Sequence, residues 1–388
     1  MDADFRWPLK RCGDLLVLNY GKALVESKRH AGLVPVYGTN GPCGTHDRAL
    51  AAGPGLVLGR KGMGNLGIEW CDTDFWVIDT AYFATPKSSE VNLAFFYYLI
   101  KFVGLNHLKD GTSNPSLSRE TFYAQLYPCP PPRAQAGIVE MLVALDDKID
   151  LNRRTNETLE SIARTIFKSW FVDCDPMRAK VEGQGRPSMG TVDSVVGIRR
   201  EGINPGEFSN ELFDHYSIPA FDERRMPRQE SGESIKSNKF VVPPQTVLLS
   251  KLNPRFPRIW LPEVSPIRRS VCSTEFIVAE PKPGFSREFV YCLFGSSGFA
   301  ESLSELVTGT SSSHQRVRPE DFLRMKVIRP PQELVARFTE AVRPMLKHTA
   351  EGAEESLTLS FLRNALLPKL LSGELRIRDA EKMVEAHV

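Results

Sequence analysis

The chain has 388 residues, of which 41% are hydrophobic and 25% are charged, and its formal net charge is +2 at pH 7. The composition is that of a globular protein long enough for two or more domains, and the small net charge excludes a uniformly basic coat for nucleic acid. Seven cysteines without a CxxC pair, an N-terminus without an apolar signal segment and no membrane-length apolar run predict a cytoplasmic protein with reduced thiols.

The first 132 residues predict a globular α+β domain with mostly antiparallel strands. Short β-type runs at 56–58 and 75–78 are separated by Gly, Pro, Asn and Asp, and a helix is predicted over 92–102. The stretch 62–67 matches G-x-G-x-x-G. Because β-type sequence follows it where a dinucleotide site needs a helix, we interpret it as a tight turn.

A long helix is predicted after Pro132, since no further proline occurs until Pro176. Its seam residues recur at steps of three and four, as in a coiled coil, and two asparagines on the seam would fix register and partner. Forty such residues give a helix of about 60 Å, which needs another helix to cover its apolar stripe. The predicted interface positions are Ile138, Leu142, Leu145, Ile149, Asn152, Asn156, Leu159, Ile166 and Trp170.

The second half predicts the same plan. Gly- and Pro-rich sequence between 173 and 210 predicts a linker, and β-type runs at 247–249 and 276–278 with a helix over 286–293 predict a second α+β domain. A second seam follows after residue 331. Inside it, Pro344 predicts a kink or a break. The interface positions on this seam are Phe338, Val342, Leu359 and Leu366.

Two diverged copies of one unit account for this order. The Gly-Thr-Ser step at 111–113 recurs at 309–311, an offset of 198, and the Pro-Pro pair at 131–132 recurs at 330–331, an offset of 199. We therefore divide the chain into four segments, 1–132, 133–190, 191–330 and 331–388. A pseudo-twofold repeat would pair the two long helices antiparallel.

These features resemble the specificity (S) subunits of type I restriction–modification systems. The similarity covers the first globular domain and both helical regions. It is carried by Val36-Tyr37-Gly38-Thr39-Asn40-Gly41, Leu58-Gly59-Arg60-Lys61-Gly62, Asp79-Thr80, Leu145-Asp146-Asp147-Lys148-Ile149-Asp150-Leu151-Asn152, Thr158-Leu159-Glu160, Ile166-Phe167-Lys168-Ser169-Trp170-Phe171-Val172-Asp173 and Leu367-Pro368-Lys369-Leu370-Leu371-Ser372-Gly373-Glu374-Leu375.

The resemblance implies two target-recognition domains, 1–132 and 191–330, separated by an antiparallel pair of long conserved helices. Each domain would read one half of a bipartite, asymmetric DNA site, and the helices would set the unread spacer. It further implies two methyltransferase (M) subunits and two restriction/translocase (R) subunits. The M subunits would dock on the helical regions, so the seam residues named above are candidates for the helix pair and for the M-subunit interface. S-adenosylmethionine, ATP and Mg are then expected on the partner subunits, with no catalytic residue or metal site in this chain.

Loops that mix Arg or Lys with Asn, Gln, Ser and Thr suit phosphate anchoring and base-edge recognition. They are the candidate DNA contacts, and solvated surface charge is the alternative explanation for each. The residues are Arg60, Lys61, Lys109, Asn114 and Arg119 in the first copy, and Lys251, Arg255, Arg258, Arg268, Arg269, Gln315, Arg316 and Arg318, with His314, in the second.

Two other functions stay open at the level of sequence. One is a structural adaptor that bridges proteins with two globular domains and a helical spacer. The other is a divergent DNA methyltransferase or nuclease fusion, although the chain has no Walker motif, no HExxH and only an incomplete Asn-Pro-Pro-aromatic match at 253–256.

Overall fold

The computed structural model describes residues 6–174, 188–306 and 315–386. By its internal contacts the chain forms two compact units. Unit 1 comprises Met1–Asp150 and Glu355–Val388, and unit 2 comprises Leu151–Glu354. This division passes through both long helices, whereas the four segments drawn from the sequence follow its motifs, so their boundaries stay a prediction. Within the described ranges, no helix is both long and apolar enough to cross a membrane.

Unit 1 is an α+β domain with two main sheets. One has the strand order β2-β8-β5-β6 and is antiparallel throughout; the other has the order β4-β3-β7, in which β3 and β7 are parallel. The elements are β1 (Leu9–Arg11), α1 (Cys12–Leu15), β2 (Leu16–Tyr20), β3 (Val34–Gly38), β4 (Gly41–His46), β5 (Gly55–Gly59), β6 (Ile68–Cys71), β7 (Trp76–Val77), β8 (Ala81–Pro86), α2 (Leu93–Val103), β9 (Lys109–Asp110), β10 (Ser116–Leu117), α3 (Arg119–Tyr123), β11 (Leu126–Pro128) and α4 (Pro132–Phe167).

Unit 2 has a sheet of order β13-β21-β18-β19 and a five-stranded sheet of order β14-β17-β20-β15-β16. After α4 the chain makes a π-helical turn at Lys168–Val172. The elements that follow are β12 (Ser188–Thr191), β13 (Val196–Arg199), β14 (Gly202–Ile203), β15 (Leu212–Tyr216), α5 (Ile218–Arg224), β16 (Arg228–Ser231), β17 (Lys239–Val241), β18 (Val247–Ser250), β19 (Ile259–Trp260), β20 (Arg269–Ser273), β21 (Phe276–Pro281), α6 (Arg287–Phe294), α7 (Ser297–Glu305), α8 (Pro319–Arg324), β22 (Lys326–Arg329) and α9 (Gln332–Ser372), before α10 (Ile377–Glu385) in unit 1.

The predicted duplication is confirmed by the topology. The sheets β2-β8-β5-β6 and β13-β21-β18-β19 place their first, last, second and third strands side by side in the same way, and among the described residues each unit has a parallel pair, β3–β7 or β15–β20. Each unit also pairs its first strand with its last, β1 with β11 and β12 with β22. Both copies therefore use one scaffold, and their differences lie in the loops and side chains mounted on it.

The helices predicted inside the two globular domains are confirmed as α2 and α6. The Asn92 side chain caps α2 by accepting from the backbone N–H groups of Ala94 and Phe95, and the Ser286 hydroxyl caps α6 by accepting from Phe289 N–H. The apolar faces of both helices are buried in the cores of their units. Each helix thereby holds its β-sheet and the loops at the sheet edge in a fixed place.

In unit 1 the first part of α4 lies antiparallel to the last part of α9. Asp146 pairs with Arg363, and Lys148, further along α4, pairs with Glu355, which is earlier on α9. The predicted seam positions lie on the facing sides of these segments, with Ile149 half-buried. The fully buried ones are Ile138, Leu142, Leu145, Leu359 and Leu366.

In unit 2 the rest of α4 lies antiparallel to the first part of α9. The Asn152 amide donates to Gly352 O at 3.4 Å, and the Asn156 amide donates to Thr349 O at 3.0 Å. Gly352 is buried, and a Cβ there would lie 2.9 Å from Asn156 Oδ1. The two seam asparagines thus bind the facing backbone, which fixes the register of the two segments because only one alignment satisfies both amides.

A set of aromatic rings closes the end of this helix pair in unit 2. Phe338 and Val342 are fully buried, and Phe338 contacts the rings of Phe167, Trp170 and Phe171 at centroid distances of 5.8, 6.1 and 5.1 Å. The predicted seam residues Leu159 and Ile166 are half-buried on the same stretch of α4. Trp170 and its neighbours therefore serve as packing residues in unit 2.

Of the kink or break predicted at Pro344, the break is wrong, because α9 continues from Gln332 to Ser372, and the kink stays a prediction. Proline removes one helical N–H, and the loss is tolerated here since Val342 and Leu346 are buried on either side of the exposed proline and hold the helix in place. The strand predicted over 75–78 is confirmed only for Trp76–Val77.

Candidate nucleic-acid interface

Several loops of unit 1 meet at one end of the sheet β2-β8-β5-β6, where β5 ends and β8 begins. We call this end of the strands, with its loops, the unit 1 edge. Leu117 N–H donates to Arg60 O at 2.8 Å, and Gly62 N–H donates to Pro115 O at 3.0 Å, so the loop after β5 is bonded to the segment before α3. A β-bridge between Lys61 and Ser116 completes the join. The structure thus brings together the candidate residues of the first copy, Arg60, Lys61, Lys109, Asn114 and Arg119.

Lys109 holds the glycine-rich loop in shape. Its Nζ donates to the carbonyl oxygens of Gly62, Met63 and Gly64 at 3.2, 3.5 and 2.8 Å. Gly62 has a φ of +129°, which a side chain would strain, and β6 follows the loop directly. The interpretation of the G-x-G-x-x-G match as a turn is therefore confirmed. Lys109 therefore braces this loop.

Two guanidinium groups share two tyrosine rings at this edge. Arg119 Cζ lies 3.8 Å from the ring centre of Tyr20 and 6.0 Å from that of Tyr82. Arg60 Cζ lies 4.8 and 5.5 Å from the same two centres, and its Nη1 donates to Asp79 O at 3.2 Å. Tyr20 and Tyr82 face each other across β2 and β8, so the sheet register itself sets this arrangement.

Unit 2 builds the equivalent edge with different side chains. Val317 N–H donates to Lys251 O at 3.1 Å, and Asn253 N–H donates to Gln315 O at 2.9 Å, the bonds that Leu117 and Gly62 make in unit 1. A β-bridge joins Leu252 to Arg316. Sequence comparison missed this correspondence because Gly62 is replaced by Asn253, whose φ of +50° lies in the left-handed region that asparagine tolerates.

The second-copy candidates fall into two groups. Lys251, Gln315 and Arg316 lie at the equivalent edge, Arg255 is exposed in the same loop, and Arg318 is exposed just before α8. The remaining three arginines bind carboxylates, and Arg258 does so at the end of the same loop, where its carbonyl accepts from Ser250 N–H. Arg258 pairs with Asp222 at 2.6 and 2.8 Å, Arg268 with Asp214 at 3.0 Å, and Arg269 with Glu211 through two hydrogen bonds. His314 and the step 309–311 lie outside the described residues.

Two arginines at the unit 2 edge form ion pairs with glutamates. Arg316 pairs with Glu275 at 2.8 Å and Arg200 with Glu320 at 3.2 Å. Lys251 is half-buried, and its burial lowers the pKa of the ammonium group from its ordinary value. Away from this edge, the hydrogen bonds from Arg269 lower the pKa of the Glu211 carboxyl just before β15. The DNA roles of all the candidate residues stay predictions.

Apolar side chains also point outward from the long helices. In unit 1, Val143, Leu357 and Phe361 are 37%, 39% and 72% exposed. In unit 2, Leu151 and Ile162 are 53% and 40% exposed. The helices therefore carry exposed apolar side chains besides the seam residues. Over the ranges that the structure describes, no group of three His, Cys, Asp or Glu residues could hold a metal ion.

Comparison with known proteins adds to this geometry. Residues 6–161 match the family model of the type I restriction modification DNA specificity domain. The chain is 25% identical to the type I restriction enzyme MjaIX specificity subunit of Methanocaldococcus jannaschii over 338 residues, 76% of this chain and 71% of that protein. It is 22% identical to the HindI specificity subunit of Haemophilus influenzae over 393 residues, 81% of this chain and 85% of that protein.

Among solved structures, the fold is similar to the crystal structure of a type I restriction–modification S subunit from M. genitalium. The two have a TM-score of 0.70 and 14% sequence identity, and the match covers 95% of this chain and 97% of the other. At this identity the similarity shows the fold, and it extends over both units.

Proposed function

We propose that the chain is a specificity subunit of a type I restriction–modification system and that it reads a bipartite, asymmetric DNA site with its two globular units. The observation that carries the proposal is the pair of equivalent loop edges. One scaffold presents the Gly62 loop with Arg60 and Arg119 in unit 1, and the Asn253 loop with Lys251 and Arg316 in unit 2.

Unlike side chains on a common scaffold are what an asymmetric site requires. Base identity is recognised by the side chains that reach base edges, while phosphate contacts set the position of the protein. Because the two edges differ in nearly every polar side chain, the half-sites are expected to differ in sequence. The formal net charge of the chain is only +2, so partner subunits would supply part of the electrostatic affinity for DNA.

Methyltransferase subunits are the expected partners of the long helices. The exposed Phe361, with Val143 and Leu357 in the same unit, offers an apolar docking surface next to the helix seam. Two such subunits would bind S-adenosylmethionine and methylate adenine. Two restriction/translocase subunits would add ATP- and Mg-dependent activity. This chain itself would supply recognition and assembly and no catalytic group.

Co-expression and footprinting test the proposal. The chain should co-purify with its methyltransferase subunit, and the complex should protect two separated stretches of duplex DNA while the chain alone transfers no methyl group. Phe361→Asp should abolish co-purification, and Glu340→Asp, a conservative exchange at an exposed position of the same helix, should retain it. Methyl transfer from S-adenosylmethionine by the isolated chain, or protection of one continuous stretch, would contradict the proposal.

A further inference from the structure

The two stacked arginines of unit 1 have no counterpart in unit 2. Sheet register makes Arg200 the equivalent of Tyr20 and Ile277 the equivalent of Tyr82, since Leu16 pairs with Pro86 in unit 1 as Val196 pairs with Pro281 in unit 2. Arg200, at the position of Tyr20, forms an ion pair with Glu320, and the loop pairing places Lys251 at the position of Arg60. The unit 2 edge therefore lacks both tyrosine rings on which the unit 1 arginines stack.

Aromatic faces hold the unit 1 arginines in place of carboxylates. Within the residues that the structure describes, neither Arg60 nor Arg119 forms an ion pair, although the rings of Tyr20 and Tyr82 flank both. A ring face attracts a guanidinium without neutralising its charge and without occupying the outward N–H donors. Two like charges are thus held side by side with donors to spare.

The stacking also restricts orientation. Arg119 Nε is buried and has no hydrogen-bond partner in the structure, so the stem of the side chain is enclosed and only its Nη end can reach a ligand. Arg60 is oriented by its bond to Asp79 O. A guanidinium fixed in its plane is suited to a planar acceptor pair, and in the major groove of DNA that pair is O6 and N7 of guanine.

We propose that Arg119, stacked on Tyr20, reads a guanine in the half-site bound by unit 1, with Arg60 beside it. This inference rests on the proposed function and adds the base that the unit 1 edge recognises. Tyr20 acts as a positioning residue, because it contacts the guanidinium and holds it in plane. Unit 2, whose equivalent edge carries ion pairs, would not use this device.

Modified bases provide the test. The complex of this chain with its methyltransferase subunit is first used to find a specific duplex and to assign its half-sites, by exchanging residues 191–330 for another recognition domain. Each guanine of the unit 1 half-site is then replaced by 7-deazaguanine, which keeps base pairing and phosphates but lacks the N7 acceptor. At one guanine the replacement should weaken binding at least about fivefold, the lower end for a bidentate contact.

The variants decide between a base contact and the alternatives. Arg119→Ala should weaken binding to normal DNA and make the complex insensitive to the 7-deazaguanine replacement, and Tyr20→Ala should reduce that sensitivity while Tyr20→Phe keeps it. The matched control is Lys101→Ala, which removes a cation from over the Tyr97 ring on α2. It should leave binding and base preference unchanged.

Two outcomes would overturn the inference. If Arg119→Ala weakens binding equally on normal and modified DNA and lowers the salt dependence, the arginine contacts phosphate. If no guanine of the unit 1 half-site responds to the replacement, the arginine pair reads no guanine. Failure to find any specific duplex would instead contradict the proposed function itself, so the two failures are distinguishable.

Discussion

The same substitution to alanine is expected to have different effects on stability at two phenylalanines of α9. Phe338 is fully buried among aromatic rings in unit 2, and Phe361 is 72% exposed in unit 1. Phe338→Ala removes about 150 Å² of buried apolar surface, which corresponds to about 4 kcal/mol at the usual coefficient. This falls within the range of about 3 to 5 kcal/mol for truncating a core phenylalanine, because the rings around it cannot close the cavity fully.

Phe361→Ala should change the stability much less. About a quarter of the Phe361 surface is buried, worth about 1 kcal/mol, and alanine recovers about half of that through its higher helix propensity. We therefore expect a net loss of about 0.5 kcal/mol. The two variants share residue type, helix and substitution, so they differ chiefly in the burial of the deleted ring.

Urea unfolding followed by tryptophan fluorescence measures both effects, since the Trp170 ring centre lies 6.1 Å from that of Phe338 in unit 2, and Trp70 and Trp76 report on unit 1. Phe338→Ala should shift the transition of unit 2 strongly and should leave methyltransferase binding intact under conditions where the chain is folded. Phe361→Ala should change the stability little and should weaken methyltransferase binding. Equal losses of stability, or a loss below about 1 kcal/mol for Phe338→Ala, would refute the assignment of Phe338 to the core.

Three further predictions address the loops and the helix pair. Lys109→Met removes the donor to three carbonyls and should speed hydrogen exchange of the 62–64 amides, as Lys101→Met on α2 should not; unchanged exchange would mean that the lysine does not brace the loop. Asn253→Gly should leave the free energy of unfolding within about 0.5 kcal/mol, whereas Asn253→Val should lower it by about 1 to 2 kcal/mol, because a β-branched residue is strained at positive φ; equal values in denaturant titrations would contradict this. Inserting four residues into both long helices, after Asp150 and after Glu354, should lengthen the unread spacer in footprints and leave both half-sites unchanged; an unaltered spacer would show that the helices do not set it.

Local patterns in the sequence predicted both long helices and several of the central strands and helices of the two units. The β-type runs at 56–58, 247–249 and 276–278 lie in β5, β18 and β21, and the helices at 92–102 and 286–293 begin within a residue or so of their predicted starts. Each depends on neighbouring residues, which is why the sequence reveals it. The pairing of β1 with β11, more than a hundred residues apart, has no such local signature.

The candidate site was only partly predictable for the same reason. A basic cluster at 251–270 is visible in the sequence, but the partners of Arg258, Arg268 and Arg269 lie 36, 54 and 58 residues away, on other strands and helices. Likewise, the stacking of Arg119 on Tyr20 joins residues from opposite ends of the unit 1 domain. Proline rules overestimated the effect of Pro344, since they take no account of the packing that holds α9 in place.

Two different recognition edges on one scaffold should recognise an asymmetric bipartite site. Mapping methylated bases across the genome of a host that expresses this chain with its methyltransferase subunit tests it most directly. The account predicts one motif of two different half-sites separated by a fixed unread spacer, with methylated adenine in each half. A continuous motif, a palindrome with identical halves, or no motif dependent on this chain would contradict it.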